Sequence, residues 1–424
     1  MDEKLRNVVD HTQAALGLHN HRLERYHFFR EKNHLNETAY ILNMEWFPEG
    51  VASAEDGLNP AGTAVADVNF YTGAVRGITF VDGINSADNS LYPTASTKEE
   101  VIEWVEDMTG LTFGRQFRIE RDDKQVLRFA AAVDNIPVSP GGIIRTEFND
   151  DGVLMVFYID GEFPEADQIE WEPFALTPDK YEPVAKAQCQ LVAYPDEAQE
   201  KWVAVYGLEE VFLTNDASRT IPFTIGEDTG SFVEKDDILR WDKPLDGNFE
   251  QKDIDLSPEV TLETVLADEP HPDSLPLTES EMTACVQEVL RFMRLVYPNE
   301  SGKRKLIGFL LKDGYIIAEL KPAEEKMQKM FGNKIKLVIE RDTLTAIHYI
   351  DQSWLLEGFK HFAEATKPVV TVEEAFDLLR EYLQVDPVYV YDNSRDHYMM
   401  CGKIDCDYGV NAMTGKVIKL SEMA

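Results

Sequence analysis

Basic residues are scarce in this chain: 41 Lys and Arg stand against 77 Asp and Glu in 424 residues, a net charge of −36. Such a balance repels phosphate backbones and anionic lipid surfaces, so nucleic acid and membrane are excluded as expected partners. Cysteine is nearly absent. Four residues, Cys189, Cys285, Cys401 and Cys406, are too few for a disulfide framework, and there is no CxxC pair for a metal. Cys189 and Cys285 fall in helix-like patterns. Cys401 and Cys406 lie five apart in a strand-like segment, with side chains on opposite faces. No apolar run approaches the roughly 20 residues that span a bilayer, and Met1 to Asn7 holds no secretory n-region, so the expectation is a cytoplasmic protein.

Signatures of chemistry are missing as well. The sequence has no GxSxG elbow, no phosphate-cradling GxxxxGK[ST] or GxGxxG loop and no EF-hand pattern. Five histidines, His11, His19, His21, His27 and His34, crowd the N-terminal region, but no pair has the i, i+3 or i, i+4 spacing that puts two ligands on one helical face. Acidic pairs are too abundant to single out. The expectation is therefore no catalytic residue, no metal and no cofactor.

What is present is globular material: 44% hydrophobic residues, with 22 Phe, 16 Tyr and 6 Trp, enough to bury several cores. A turn recurs. Asn69-Phe70-Tyr71-Thr72-Gly73, Thr229-Gly230 and Asn411-Ala412-Met413-Thr414-Gly415 each separate two apolar runs, with weaker versions at Asn149 to Gly152 and Glu340 to Leu344. Glycine accepts positive φ there, and Asn and Thr bond the local backbone. Gly73, Gly152, Gly230, Thr343 and Gly415 follow at steps of 79, 78, 113 and 72 residues, which predicts a repeated module with one insertion.

Helix starts precede most of these hairpins. Thr97, Thr278 and Thr371 each have a glutamate three residues on (Glu100, Glu281, Glu374), the capping-box pattern, and Thr177-Pro178 opens a fourth helix. Residues 2–32 predict a first helix. Phe148 to Ile159, Trp202 to Leu213, Leu306 to Leu311, Ile335 to Ile339 and Val388 to Val390 read as strands. Trp171, Trp241 and Trp354 each follow a hairpin and are expected to seal a module core.

The expected architecture is α+β: tandem modules, each one helix packed on an antiparallel β-sheet. The boundaries are 1–93 (N-terminal helix and hairpin), 94–172, 173–241, an acidic proline-containing linker or long loop over 242–276, 277–366 with an insertion, and 367–424.

The helix start Thr371-Val372-Glu373-Glu374-Ala375, the strand Val388-Tyr389-Val390-Tyr391-Asp392 and the run Tyr408 to Val417 resemble the YcdB/YcdC-type repeated domain of bacterial proteins, a relative of the PepSY propeptide-like module. Residues 97–160 are similar next best, Phe129 to Val138 with an Asn-Ile-Pro-Val turn and Ile143 to Val156 as the returning hairpin. The resemblance implies a cystatin-like module that binds or inhibits, as PepSY modules do in protease propeptides, and brings no catalytic residues. Thr72-Gly73, Thr229-Gly230 and Thr414-Gly415 carry over only as turn formers.

The functional expectation is a non-catalytic binding or inhibitory protein. Its partner would be a protein or peptide, a basic one by charge, taken up on an open sheet edge. The alternatives are a hydrolase with a site assembled between modules and a self-associating structural protein.

Overall fold

A computed structural model describes residues 2–33, 35–52, 57–95, 97–223, 232–255, 258–324, 328–329 and 332–423. The chain is mixed α and β, with sheet dominant and helices few, and it divides into two compact units. The first holds Met1–Glu172, Ser257–Ser274 and Val388–Met399; the second holds Pro173–Leu256, Leu275–Pro387 and Met400–Ala424.

In the first unit, α1 (Glu3–Ala15) starts at Asp2, whose carboxylate accepts from the Lys4 N–H at 2.9 Å. It buries Leu5, Val8, Val9 and Thr12 and ends at Leu16, before Gly17 at φ 58°. The helix expected over 2–32 thus stops halfway. Residues beyond the left-handed Gly17 reverse direction and run as β1 (His21–Lys32), an aromatic-rich strand paired with β2 (Thr38–Pro48). The meander continues through β3 (Ala64–Asn69) and β4 (Val75–Phe80).

Helix α2 (Lys98–Thr109) repeats the start: Thr97 Oγ1 accepts from the Glu100 N–H at 3.3 Å, and Glu100 accepts from Thr94 at 3.4 Å. Then come β5 (Phe117–Asp122), β6 (Val126–Val133), β7 (Ile136–Ser139), β8 (Ile143–Phe148), β9 (Leu154–Asp160) and the short β10 (Ile169–Glu170). Strand β9 pairs with β4, so an antiparallel sheet runs β1-β2-β3-β4-β9-β8-β6-β5. One face is the core: Leu5, Val8, Val101 and Val105 of the helices pack on Tyr40, Trp46, Phe129 and Phe157. The turn after β6 is Asp134-Asn135, both at positive φ (48° and 65°), as a tight two-residue hairpin requires. Ile136, Pro137 and Val138, expected as the turn, belong to β7.

In the second unit, α3 (Pro178–Ala187) follows Thr177, which makes no side-chain cap bond. Cys189, expected in a helix, opens β11 (Cys189–Asp196), because α3 ends at Gln188. Next are β12 (Lys201–Leu208), β13 (Val211–Thr214), β14 (Thr220–Pro222) and β15 (Phe232–Ile238). The turn Thr229-Gly230 lies outside the described residues. The chain from Ser257 to Ser274 belongs to the first unit and contains α4 (Leu262–Leu266), whose Val265 is buried in that unit's core. The stretch 242–276 is thus divided, its earlier part placing Phe249 against Phe292 (centroids 5.1 Å) in the second unit.

Helix α5 (Glu279–Val296) has the full reciprocal cap between Thr278 and Glu281, and buries Cys285, Val289, Phe292 and Met293. It lies on β16 (Arg304–Lys312), β17 (Tyr315–Pro322), β19 (Ile335–Glu340) and β20 (Thr345–Asp351); β15 closes the β16 edge, and β18 is the two-residue Gln328–Lys329. Helix α6 (Val372–Leu379) has the same reciprocal cap, Thr371 with Glu374. After it come β21 (Gln384–Asp392), β22 (His397–Asp405), β23 (Tyr408–Asn411) and β24 (Val417–Lys419).

These strands exchange partners with those after α3. Strand β23 pairs with β12, and β22 pairs with β13, so that α3 and α6 share one core around Ala185, Tyr206, Phe376 and Val410. All four cysteines are buried, and none is in a disulfide. Trp171 and Trp354, expected to seal cores, are 51% and 63% exposed; each sits past the last core-facing strand of its hairpin. No described helix is long and apolar enough to cross a membrane.

Candidate functional site

Within the second unit a cavity of about 920 Å³ opens between the β11–β12 turn, the chain 359–366 and the β23–β24 hairpin. The turn is set locally. Asp196 accepts from the Gln199 N–H at 3.0 Å, and Glu200 takes φ 48°. Ala363 then donates to the Glu200 carbonyl at 2.9 Å and accepts from the Trp202 N–H at 2.8 Å, which holds chain 363 alongside the start of β12.

That pairing sets the aromatic floor. Trp202, 3% exposed, lies 5.5 Å from Phe359 and 6.5 Å from Phe362, centroid to centroid. Lys329 Nζ sits 4.5 Å over the Trp202 ring and 3.1 Å from Glu364, an arrangement that pins the indole by cation–π attraction.

The opposite wall is the recurring turn. Asn411 Oδ1 accepts from the Met413 and Thr414 N–H groups at 3.0 and 3.1 Å, Gly415 at φ 71° donates back to the Asn411 carbonyl at 2.9 Å, and Thr414 Oγ1 accepts from Lys416. Asn69, Thr72 and Gly73 make the same set of bonds in the first unit. In the second unit the turn presents Met413, 38% exposed, to the cavity, with Ile418 and Met423 beside it.

Four carboxylates, Asp196, Glu197, Glu364 and Glu422, line this cavity with the Lys201 ammonium, and Glu364 is paired with Lys329. An apolar floor under an acidic rim suits a ligand with apolar and cationic groups alternating. Sequence reading placed Trp202 in a strand and Thr414-Gly415 in a turn, but assigned neither to a site. The Ala363 pairing brings Phe359 to Trp202, and a separation of more than 150 residues leaves no local signal.

The histidines do not assemble. His11 and His19 are exposed on and after α1, His27 is exposed on β1, and His34 lies outside the described residues. His21 is buried. Its Nε2 is 3.2 Å from both the Gly62 carbonyl and Ser86 Oγ, its Nδ1 has no hydrogen-bond partner among the described residues, and burial lowers its pKa. Burial pushes the Cys189 and Cys285 thiols up to about 11, opposite to the shift a nucleophile needs.

No family model matches the chain, and no curated protein matches it. Among solved structures it is similar to the Bacillus megaterium YpeB C-terminal domain, at 9% identity and a TM-score of 0.26, over 49% of this chain and 86% of that one.

Proposed function

We propose that the chain is a non-catalytic binding protein built from tandem PepSY-like modules, and that the cavity over Trp202 takes an extended peptide segment carrying lysine or arginine between apolar residues. One observation carries the reading: an aromatic floor of Trp202 and Phe359 beneath a rim of Glu197, Glu364 and Glu422. Five helices each followed by antiparallel strands, and the Asn-x-x-Thr-Gly turn at Asn69 and Asn411, support the modular part. A net charge of −36 draws a basic partner in from a distance and speeds encounter. A peptidase held by one of its own basic segments is a partner of this kind.

Isothermal titration calorimetry with a short peptide alternating lysine and phenylalanine tests the reading. Saturable binding that weakens by about tenfold or more in E197K/E364K is expected, since each reversal replaces attraction by repulsion at the rim. Equal binding of a glutamate–phenylalanine peptide would remove the proposal.

A further inference from the structure

The sheet of the first unit has a second face, turned away from α1 and α2. Leu127, Phe129 and Ile144 of β6 and β8 point to the core, so Arg128 and Arg145 point the other way. The two are direct cross-strand partners, and Arg145 is in turn the partner of Tyr158 on β9. Arg118 of β5 stands opposite Ala130, the diagonal neighbour of Arg128 on the same face. Three guanidinium groups from three adjacent strands are thus gathered in a chain where acids outnumber bases 77 to 41.

Like charges directly opposite on neighbouring strands, about 5 Å apart, destabilise a sheet. Compensation inside the unit is partial. Arg128 Nε is 2.6 Å from Glu120 and Arg145 Nε is 2.5 Å from Glu147, one carboxylate for each five-donor guanidinium, and Arg118 has no ion-pair partner among the described residues. The Nε atom of Arg118 is buried and has no hydrogen-bond partner among the described residues, whereas those of Arg128 and Arg145 face their carboxylates. The side chains of Arg128 and Arg145 nevertheless remain 41% and 36% exposed, so the donors beyond Nε can be reached from solvent.

We propose that this face binds a short acidic peptide segment, its carboxylates bridging Arg118, Arg128 and Arg145 while Tyr158 packs against its backbone. Planar guanidinium forks match carboxylates in bidentate geometry. The ligand must be short, because beyond about 8–10 Å the field is that of a strongly negative chain, which repels a long polyanion. The site differs from the cavity over Trp202 in unit and in ligand charge, so the two proposals fail separately.

Fluorescence anisotropy with a short fluorescein-labelled peptide alternating glutamate and valine tests it on the full chain. Wild type should bind saturably, and R118Q/R128Q/R145Q should bind about tenfold or more weakly, as expected for lost charge-assisted hydrogen bonds, with its far-UV circular dichroism unchanged. If the triple variant unfolds, R118Q alone decides, since Arg118 holds no ion pair whose loss could disturb the sheet. Absence of saturable binding to wild type, unchanged binding in the folded triple variant or in R118Q, or tighter binding of a single-stranded oligonucleotide would each overturn the proposal.

Discussion

Trp202 and Phe359 hold their rings 5.5 Å apart at an interplanar angle of 59°, joined across the chain by the backbone pairing of Trp202 with Ala363. The indole therefore serves both the packing of the second unit and the floor of its cavity. Truncation separates the two roles. Trp202→Ala should destabilise by about 3–5 kcal/mol in denaturant titrations, as for other buried aromatics. Met413→Ala, at an exposed turn tip, should stay within about 0.5 kcal/mol of wild type while weakening binding of a lysine–phenylalanine peptide.

Glu281 predicts an acid-sensitive cap. Its carboxyl accepts from the Thr278 N–H at 2.7 Å and pairs with Arg341 at 3.0 Å, which together lower its pKa to about 2. The folded pKa lies below the unfolded value, so this stabilisation is complete above about pH 4.5 and is lost as the pH falls towards 2. Glu281→Gln should flatten that part of the stability profile. Thr278→Ala should cost about 1 kcal/mol at neutral pH.

His21 predicts a second pH effect in a different window. Burial lowers its folded pKa below 6.5, so the unfolded chain binds the extra proton first and stability falls as the pH drops below about 6.5. Thermal unfolding of His21→Gln at several pH values should lose this slope while keeping the Glu281 slope at lower pH. An unchanged slope would assign the effect elsewhere.

The thiols offer a simple check of the cores. All four cysteines are buried, and those of Cys189 and Cys285 are pushed up to about 11. A thiol reagent at mildly alkaline pH should label the native protein slowly, and label all four sites once denaturant opens it.

Two glycines separate conformational from steric cost. A Cβ on Gly415 would meet only Val370 at 3.8 Å, so Gly415→Ala should cost the left-handed penalty alone, about 1–2 kcal/mol. On Gly409 it would lie 2.6 Å from Val205 and 3.0 Å from the Tyr206 carbonyl, which forces β12 and β23 apart. Gly409→Ala should be the more damaging change in thermal unfolding.

Local signals in the sequence were reliable where one short segment settles the outcome. Thr278 with Glu281 and Thr371 with Glu374 form the caps their spacing implies, and Asn69 and Asn411 make the turns that Thr-Gly marks. Legibility failed where distance along the chain decides. The pairing of β12 with β23 and β13 with β22 has no local code, and it is what forms the core shared by α3 and α6. His21 to Lys32 reads as helix in the sequence because its aromatic and charged residues suit either period, and the break from α1 lies in the link 16–20, at the left-handed Gly17. The floor of the cavity is hidden for the same reason, since Phe359 reaches Trp202 through the long-range backbone bonds of Ala363 to Glu200 and Trp202.

Tryptophan fluorescence during titration with the lysine–phenylalanine peptide reports whether the ligand reaches the Trp202 floor. Wild type should show a saturable change that is lost in Trp202→Phe, although calorimetry still detects binding to that variant. A fluorescence change that persists in Trp202→Phe, or no saturable change in wild type, would contradict it.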